Sequence, residues 1–134
     1  MTTYLLWKVH DMNPEQWLLI TLGLLFIKHW YVDFVIQTDA EVKHKGIYGH
    51  LTGIQHSFKH TVASIFVFFL AGLEPQWVIF FALLDGVLHY HIDWAKMNYG
   101  NRDITTPQFW NHLGLDQLAH SICYLFIVYY AGLT

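Results

Sequence analysis

Pairs of metal-ligand side chains recur in the sequence with the same internal spacing of four residues. The pairs are His29/Asp33, His56/His60, His89/Asp93 and Asp116/His120. On an α-helix, residues four apart lie on one face about one turn from each other. Imidazole and carboxylate groups are ligands for zinc, iron and manganese. One such pair would be weak evidence, because an interior histidine is more often a hydrogen-bonded core residue. The recurrence of the pair on separate helices predicts a metal site.

The segments that carry these pairs are apolar enough to lie in a membrane. The chain has 134 residues, of which 54 % are hydrophobic and only 13 % are charged, outside the usual mixture of a soluble domain. Four apolar runs are each near the roughly 20 residues that cross a bilayer, and they predict transmembrane helices at about residues 17–34, 54–73, 77–93 and 113–133. Asn13 and Pro14 are typical of a helix cap followed by a first-turn proline.

The chain matches itself at an offset of 60 residues without a gap. The offset aligns Gln16-Trp17 with Gln76-Trp77, His29 with His89, Asp33 with Asp93, His60 with His120, and Ala71-Gly72-Leu73 with Ala131-Gly132-Leu133, while His56 falls opposite Asp116. This pattern predicts two tandem helical hairpins, about 14–73 and 74–133, within one membrane domain of residues 1–134. The expected fold is an all-α bundle of four transmembrane helices, with a pseudo-two-fold axis along the membrane normal.

The positive charges predict the orientation of this bundle. The longer loops, 38–50 and 96–111, share one side of the membrane and contain Lys43, Lys45, Lys96 and Arg102, whereas the other side has Lys8. By the positive-inside rule the loops are cytoplasmic and both termini lie outside the cytoplasm. All four pairs then meet in one layer near the cytoplasmic face. We expect no cleavable signal peptide and a short interfacial helix over residues 3–10.

The composition of the predicted cluster indicates how many ions it holds. An aspartate in a membrane helix costs roughly 2.5 to 3.5 kcal/mol and usually faces a partner or a water-filled cavity. Five histidines and three aspartates in a near-symmetric set predict two ions, with zinc as the first choice and iron or manganese as alternatives. One ion with a larger shell of hydrogen-bonded residues is the other possibility.

Residues beside the cluster are candidates for catalysis. Asp85, one turn before His89, is a predicted ligand, an orienting group for that imidazole, or an ion-pair partner. Lys28 is predicted to neutralise Asp85 or to hold an anionic substrate group. Lys59 is expected to extend toward the headgroups, and Gln37, Gln55 and Gln117 to orient ligands or to bond helix ends. Ordinary solvated histidines are expected at His10, His44, His50 and His112, and Cys123 is expected to fill the core.

Several motifs resemble a family of small phage and bacterial inner-membrane proteins known only as a domain of unknown function. They are His29-Trp30-Tyr31-Val32-Asp33-Phe34-Val35-Ile36-Gln37-Thr38, His89-Tyr90-His91-Ile92-Asp93-Trp94-Ala95-Lys96, and Phe109-Trp110 with Gly114-Leu115-Asp116-Gln117 and His120. The resemblance implies a bacterial or phage source and an inner-membrane location, and no activity. A more distant similarity is to predicted membrane-bound metal-dependent hydrolases.

The leading hypothesis is therefore a metal-dependent hydrolase that acts at the cytoplasmic membrane face on a lipid, lipid-linked or membrane-delivered substrate. A di-iron oxidase or hydroxylase is an alternative from another enzyme class. The third hypothesis is a non-enzymatic phage membrane protein with a structural polar or metal site. A channel is disfavoured, because the outer halves of the helices are apolar. The net charge of −3 with scattered basic residues argues against nucleic-acid binding. The oligomeric state stays open, a homo-oligomer included.

Overall fold

The computed structural model describes residues 11–134, and these residues form an all-α fold. Its long helices are α1 (Pro14–Trp30), α3 (Leu51–Leu70), α4 (Pro75–Tyr99) and α5 (Pro107–Ala131), and a short helix, α2 (Asp39–His44), lies between α1 and α3. A π-helical segment, Tyr31–Val35, follows α1 directly. The predictions for residues 3–10 and for His10 lie outside the described residues.

The predicted start of the first helix is confirmed. Asn13 Oδ1 accepts a hydrogen bond from the Gln16 N–H at 2.8 Å, and Gln16 Oε1 accepts one from the Asn13 N–H at 3.2 Å. This reciprocal capping box satisfies two N–H groups that the first turn leaves without partners. Pro14 occupies the first turn, where its missing N–H costs nothing.

The two predicted cytoplasmic loops, residues 38–50 and 96–111, are partly helical. Helix α2 lies within residues 38–50, opened by a capping box between Thr38 and Glu41. In residues 96–111, α4 continues to Tyr99, and α5 begins at Pro107 after the cap Thr106. Both helices therefore extend past the apolar runs that predicted them. As a result Lys96 lies on α4, with its direction fixed by the helix.

Two of the described helical segments are long and apolar enough to cross a bilayer, Pro14–Val35 and Pro75–Tyr99. Helices α3 and α5 have 20 and 25 residues, which is also sufficient length. They carry more polar side chains, such as Lys59 in α3 and Gln117 in α5, and these lower their hydropathy. The structure thus shows two candidate spans where the sequence predicted four.

The long helices surround one interior that changes character along its length. Helix α1 packs against α3 and α5, and α4 packs against the same two helices. One end of the interior is apolar and contains Leu25, Val67, Phe68, Val78, Phe81, Ala82, Tyr124, Ile127, Val128 and Ala131. The other end contains the buried histidines and aspartates. The packing of α3 against α4 is the most extensive of these helix pairs.

Gly86 explains the close approach of α3 and α4. A Cβ atom at this position would lie 2.0 Å from Thr61 Oγ1 and 3.3 Å from the Ser57 carbonyl oxygen. Small residues permit this kind of close helix packing in membranes. The residue 60 positions earlier is Phe26, whose ring packs edge-on against the Tyr124 ring, with the two ring centroids 6.1 Å apart. The two halves of the bundle are therefore packed differently at this level.

We expect Gly86→Val to destabilise the protein by about 1–3 kcal/mol or more, because the added methyl groups must push α3 away from α4. Gly23→Val is the matched control, since a Cβ at Gly23 meets nothing within 4 Å. Thermal unfolding in mild detergent measures both variants. An equal effect of the two substitutions would contradict this role of Gly86.

Candidate metal centre

All eight predicted ligands converge at the polar end of the interior. Each of the four long helical segments contributes one of the predicted pairs, as the spacing indicated. The eight side chains are between 0 and 7 % exposed. Their nitrogen and oxygen atoms form three overlapping groups in which the ligand atoms lie within 4.8 Å of one another. The first group is Asp33/His56/His60/His89, the second is Asp93/Asp116/His120, and the third, His29/His89/His120, shares one histidine with each of the other two.

The first group is centred on one oxygen of Asp33. Asp33 Oδ1 lies 2.9 Å from His60 Nε2, 3.1 Å from His56 Nε2 and 3.4 Å from His89 Nε2. His89 Nε2 and His56 Nε2 are themselves 3.2 Å apart. Three imidazole nitrogens and a carboxylate oxygen thus face a common point.

The second group contains atoms that have no hydrogen-bond partner. His120 Nε2 lies 3.5 Å from both Asp93 Oδ1 and Asp116 Oδ1. All three atoms are buried and make no hydrogen bond among the described residues. Buried polar atoms of this kind are costly unless an ion or water satisfies them.

The separations in the second group fit a metal better than they fit hydrogen bonds. A nitrogen and an oxygen that share a proton are usually 2.7–3.2 Å apart. Ligand atoms at about 2.0–2.2 Å from a tetrahedral zinc ion are about 3.3–3.6 Å from each other. The two 3.5 Å separations around His120 Nε2 are edges of such a tetrahedron. The residues present therefore suit a small divalent cation.

Asp33 and Asp93 each face both sides of the cluster. Asp33 presents Oδ1 to the first group, and its Oδ2 lies 3.1 Å from His29 Nε2. Asp93 presents Oδ1 to His120, and its Oδ2 lies 3.3 Å from His56 Nε2 and 3.4 Å from His89 Nε2. A carboxylate with one oxygen toward each of two ligand groups is positioned to bridge two ions.

The 60-residue offset relates the two sides of the cluster to each other. The residues that correspond to the first group at this offset are Asp93, Asp116, His120 and His29. The structure places His29 in a group with His120, and their ring centroids are 4.7 Å apart. Each side therefore combines three residues of one predicted hairpin with a histidine of the other, His89 on the first side and His29 on the second.

A family model described as a protein of unknown function, DUF3307, matches residues 21–134. The chain belongs to the DUF3307 family. The expected resemblance to a family of unknown function is confirmed at that level, and the matched range includes all eight residues of the cluster. No curated protein and no solved structure matches the chain.

Lys28 and Asp85 form a buried ion pair in this DUF3307 member, at the boundary between the cluster and the apolar core. Lys28 Nζ contacts Asp85 Oδ2, and Ser64 Oγ donates to the same oxygen at 2.6 Å. Asp85 is thus placed with Lys28 and outside the three ligand groups. Of the roles predicted for these two residues, the structure shows the mutual neutralisation.

The contact between Lys28 and His60 bears on whether His60 can be a ligand. Lys28 Nζ lies 3.1 Å from His60 Nδ1, and an ammonium group can only donate. The neutral His60 ring then carries its proton on Nε2 and donates it to Asp33. In this arrangement His60 orients the Asp33 carboxylate. His60 can be a metal ligand only if the hydrogen bond between Lys28 and His60 is broken.

His29 has an outer partner of the kind that metal-bound histidines usually have. Its Nδ1 lies 2.9 Å from the Tyr124 hydroxyl, which can accept the Nδ1 proton, and coordination by Nε2 would then replace its 3.1 Å contacts to Gln117 Oε1 and Asp33 Oδ2. His56 Nδ1 lies 3.9 Å from Glu41 Oε2, too far for a hydrogen bond, and makes no hydrogen bond among the described residues. Tyr124 was assigned no role by sequence, although it follows His120 by four residues on the same helix face.

Glu41 and Lys45 are buried site residues that sequence reasoning missed. Lys45 Nζ lies 3.0 Å from Asp93 Oδ2, and Glu41 Oε1 lies 2.7 Å from Lys59 Nζ. Burial raises the pKa of Glu41, but hydrogen bonds from Lys59 and the Thr38 N–H outweigh it and lower this pKa below its usual value. Helix α2 thus closes the polar end of the bundle. The Thr38-x-x-Glu41 capping signature was the available signal.

Several other polar residues have local roles. Gln37 Nε2 donates to the Asp33 carbonyl at 2.8 Å and Gln37 Oε1 accepts from Lys45 at 2.9 Å, while Gln117 lies 3.1 Å from His29 Nε2. Lys59 pairs with Glu41 and does not simply extend toward solvent.

Of the histidines expected to be solvated, His44, His50 and His112 lie within the described residues, and there they are outside the ligand groups. His44 stacks on His50 at 4.5 Å, and His50 caps α3. His91 is exposed on α4, where its Nδ1 lies 2.7 Å from the Val87 carbonyl oxygen. His112 is half-buried beside Asp116.

Proposed function

We propose that this protein is a membrane-embedded metalloprotein with a dinuclear centre, and that it is a metal-dependent hydrolase acting at the cytoplasmic face. The observation that carries the proposal is the arrangement of Asp33 and Asp93, each with one oxygen toward either ligand group. A network of hydrogen bonds alone gives no reason for buried atoms that have no partner among the described residues, such as Asp93 Oδ1 and His120 Nε2.

The distribution of side chains supports four membrane spans in place of two. Large apolar side chains such as Ile27, Phe66 and Phe126 are 61–64 % exposed on the outside of the bundle, whereas the ionisable cluster is buried. A soluble protein has the opposite arrangement. We therefore assign α3 and α5 as spans along with α1 and α4, in two hairpins related by a pseudo-two-fold axis. Both termini lie outside the cytoplasm of a bacterial inner membrane.

The ligand assignment follows the two sides of the cluster. In the proposed centre Asp33 and Asp93 would each hold both ions. His56 and His89 would complete the shell of one ion, and His29, Asp116 and His120 that of the other. His60 would orient Asp33, and it would bind an ion only without its contact to Lys28. The histidine-rich set disfavours magnesium and calcium, which prefer oxygen ligands, and suits zinc.

Zinc in this position would lower the pKa of a bound water to about 7 and so supply hydroxide at neutral pH. The protein's own residues hold the centre and exclude bulk water from it. Lys45 lies 3.0 Å from the Asp93 carboxylate, and Lys96 lies 3.1 Å from the Asp116 carboxylate. The two ammonium groups compensate the negative charges of these carboxylates. Lys28 and Asp85, predicted as catalytic, are positioning residues in this scheme, because both are buried in their own ion pair.

A di-iron oxidase is the second candidate, and Tyr124 favours it. Helical bundles hold di-iron centres with bridging carboxylates and histidines, and the Tyr124 hydroxyl contacts the proposed ligand His29 at 2.9 Å. A tyrosine next to an iron ligand can take part in electron transfer. Iron would be recognised by its visible absorbance and its response to reductant, neither of which zinc has.

Metal analysis of protein purified in mild detergent without added metal tests the proposal. We expect about two ions per chain, and His29→Ala and His89→Ala should each lower the content to about one or less. His91→Ala, on the same helix as His89, and His44→Ala are the matched controls and should keep the wild-type content. A wild-type chain without metal, or equal content in all four variants, would refute the centre. A protein that binds two ions but hydrolyses no ester would contradict the hydrolase, and the metal site would then be structural.

A further inference from the structure

A cavity of about 240 Å³ lies between the last turns of α4 and the first turns of α5, and one proposed ligand opens onto it. Asp116 lines this cavity, and its Oδ1 is 3.5 Å from His120 Nε2 in the second ligand group. Its Oδ2 is 3.1 Å from the Nζ of Lys96, another residue of the cavity wall. The Asp116 carboxylate therefore stands between the cavity and the buried centre.

Two side chains of the cavity wall are donors of the kind that bind an anion. The Lys96 side chain is 22 % exposed, so its ammonium group reaches both Asp116 and the cavity opening. His112 Nδ1 accepts a hydrogen bond from the Asn101 N–H at 2.7 Å. The neutral His112 ring therefore carries its proton on Nε2, which is a donor. Ile92 and Leu115 make part of the wall apolar, and an apolar wall strengthens the attraction between an anion and these donors.

The charge of the centre indicates which anion fits. Three carboxylates of the cluster face two ammonium groups, Lys45 and Lys96, and the Lys28–Asp85 and Lys59–Glu41 pairs are each neutral. With neutral histidines, this leaves one unit of negative charge. Two divalent cations would convert it to three positive units. A hydroxide and the dianion of a phosphate monoester together supply three negative charges.

An apolar groove lies on the same pair of helices, farther from the cytoplasmic end. It has a volume of about 480 Å³ and includes Trp77, Leu84 and Leu88 of α4 and Phe126 and Tyr130 of α5. Along α4, residues 77–88 of the groove span about 16 Å, and residue 88 precedes the cavity residue at position 92 by one turn, about 6 Å. A hydrocarbon chain in this groove would therefore point its polar end at the cavity.

We infer that the α4–α5 cavity binds the phosphate group of a lipid phosphate monoester, whose hydrocarbon chain lies in the apolar groove. The inference rests on the proposed function and names its substrate class. Water supplies a hydroxide, whose oxygen bonds to phosphorus while the bond between phosphorus and the lipid oxygen breaks. The remaining proton of that water ends on the lipid oxygen. The products are inorganic phosphate and a lipid alcohol, with no oxidant or further reactant.

Phosphate release from vesicles tests the inference on the zinc-loaded full chain. The lipid substrate is dioleoyl phosphatidic acid in phosphatidylcholine vesicles, and the water-soluble comparison is glycerol 3-phosphate. We expect hydrolysis of the lipid, with a value of kcat/KM at least about a hundredfold above that for glycerol 3-phosphate, since apolar burial contributes only to the lipid. Equal rates for both substrates would overturn the groove as the site of the hydrocarbon chain.

Lys96→Gln tests the cavity itself. With the variant loaded with zinc to the wild-type content, we expect KM for phosphatidic acid to rise about tenfold or more, because a charged hydrogen bond to phosphate is lost. Metal content and melting temperature are measured beside KM, since Lys96 also pairs with Asp116. Lys43→Gln makes the same charge change at an exposed residue of α2 and should leave KM unaltered. An unchanged KM in Lys96→Gln would overturn the assignment. A full metal content without phosphate release defeats the inference alone, whereas a chain without metal defeats the proposed function.

Discussion

Asp93→Ala is expected to lose both metal ions, while Asp116→Ala loses only one. Asp93 has Oδ1 at 3.5 Å from His120 Nε2 and Oδ2 at 3.3 Å from His56 Nε2, so in the proposed dinuclear centre its removal would take a ligand from each ion. Asp116 has Oδ1 in the second group, and its Oδ2 is 3.1 Å from Lys96. Metal content of the purified variants, measured by mass spectrometry, distinguishes the two results. His91→Ala again serves as the control for substitution on α4.

The same reasoning predicts that Asp33→Ala also loses both ions, because Asp33 is the counterpart of Asp93 at the 60-residue offset. A loss of one ion in each of these variants would show that the aspartates bind separate ions without bridging. Retention of both ions in Asp93→Ala would remove that residue from the ligand set. Because the substitutions also remove buried negative charge, the melting temperature of each variant must be measured beside its metal content.

The convergence of the cluster could be predicted because it depends only on helical periodicity and span length. A spacing of four fixes which side chains share a face, and placing the pairs near the same ends of successive helices fixes their common depth. The 60-residue offset added the relation between His29 and His89. Apart from Asp33, which lies in the π-helical segment, these features involve side chains on regular α-helices, whose directions follow directly from position in the sequence.

The partners of the cluster could not be predicted in the same way. Lys45 lies just after α2, in a segment without apolar periodicity, and reaches Asp93 with a long flexible side chain. The change from α- to π-helix at Tyr31–Val35, which positions Asp33, has no signal in composition. The direction of Lys96 became definite only because α4 extends to Tyr99.

Departures from the internal repeat mark the places where the two halves of the bundle differ physically. Lys28 and Asp85 fall opposite Leu88 and Leu25, so the ion pair exists once. Ser64, which donates to Asp85, falls opposite Tyr124. His60 Nε2 lies 2.9 Å from Asp33 Oδ1, whereas Nε2 of its counterpart His120 makes no hydrogen bond among the described residues. The two halves of the bundle therefore present unequal sets of candidate ligands.

The ion pair provides the second large effect that we expect. Lys28→Leu should destabilise the protein by about 3–5 kcal/mol, because it leaves the Asp85 carboxylate charged and buried without its partner. Asp85 is 2 % exposed, and within residues 11–134 its one remaining donor would be the Ser64 hydroxyl at 2.6 Å. Leucine is the natural substitute, since the repeat itself has Leu88 and Leu25 at the corresponding positions.

The double variant Lys28→Leu/Asp85→Leu should recover most of that loss, since two apolar side chains of similar volume need no mutual compensation. A double-mutant cycle measures this coupling. It compares the free energies of unfolding of the wild type, both single variants and the double variant, each obtained by titration with a denaturing detergent. Metal content is measured on the same samples, because Lys28 also contacts His60 at 3.1 Å. If the double variant is destabilised by the sum of the two single effects, Lys28 and Asp85 are not coupled, and the ion pair does not stabilise the boundary between the cluster and the apolar core.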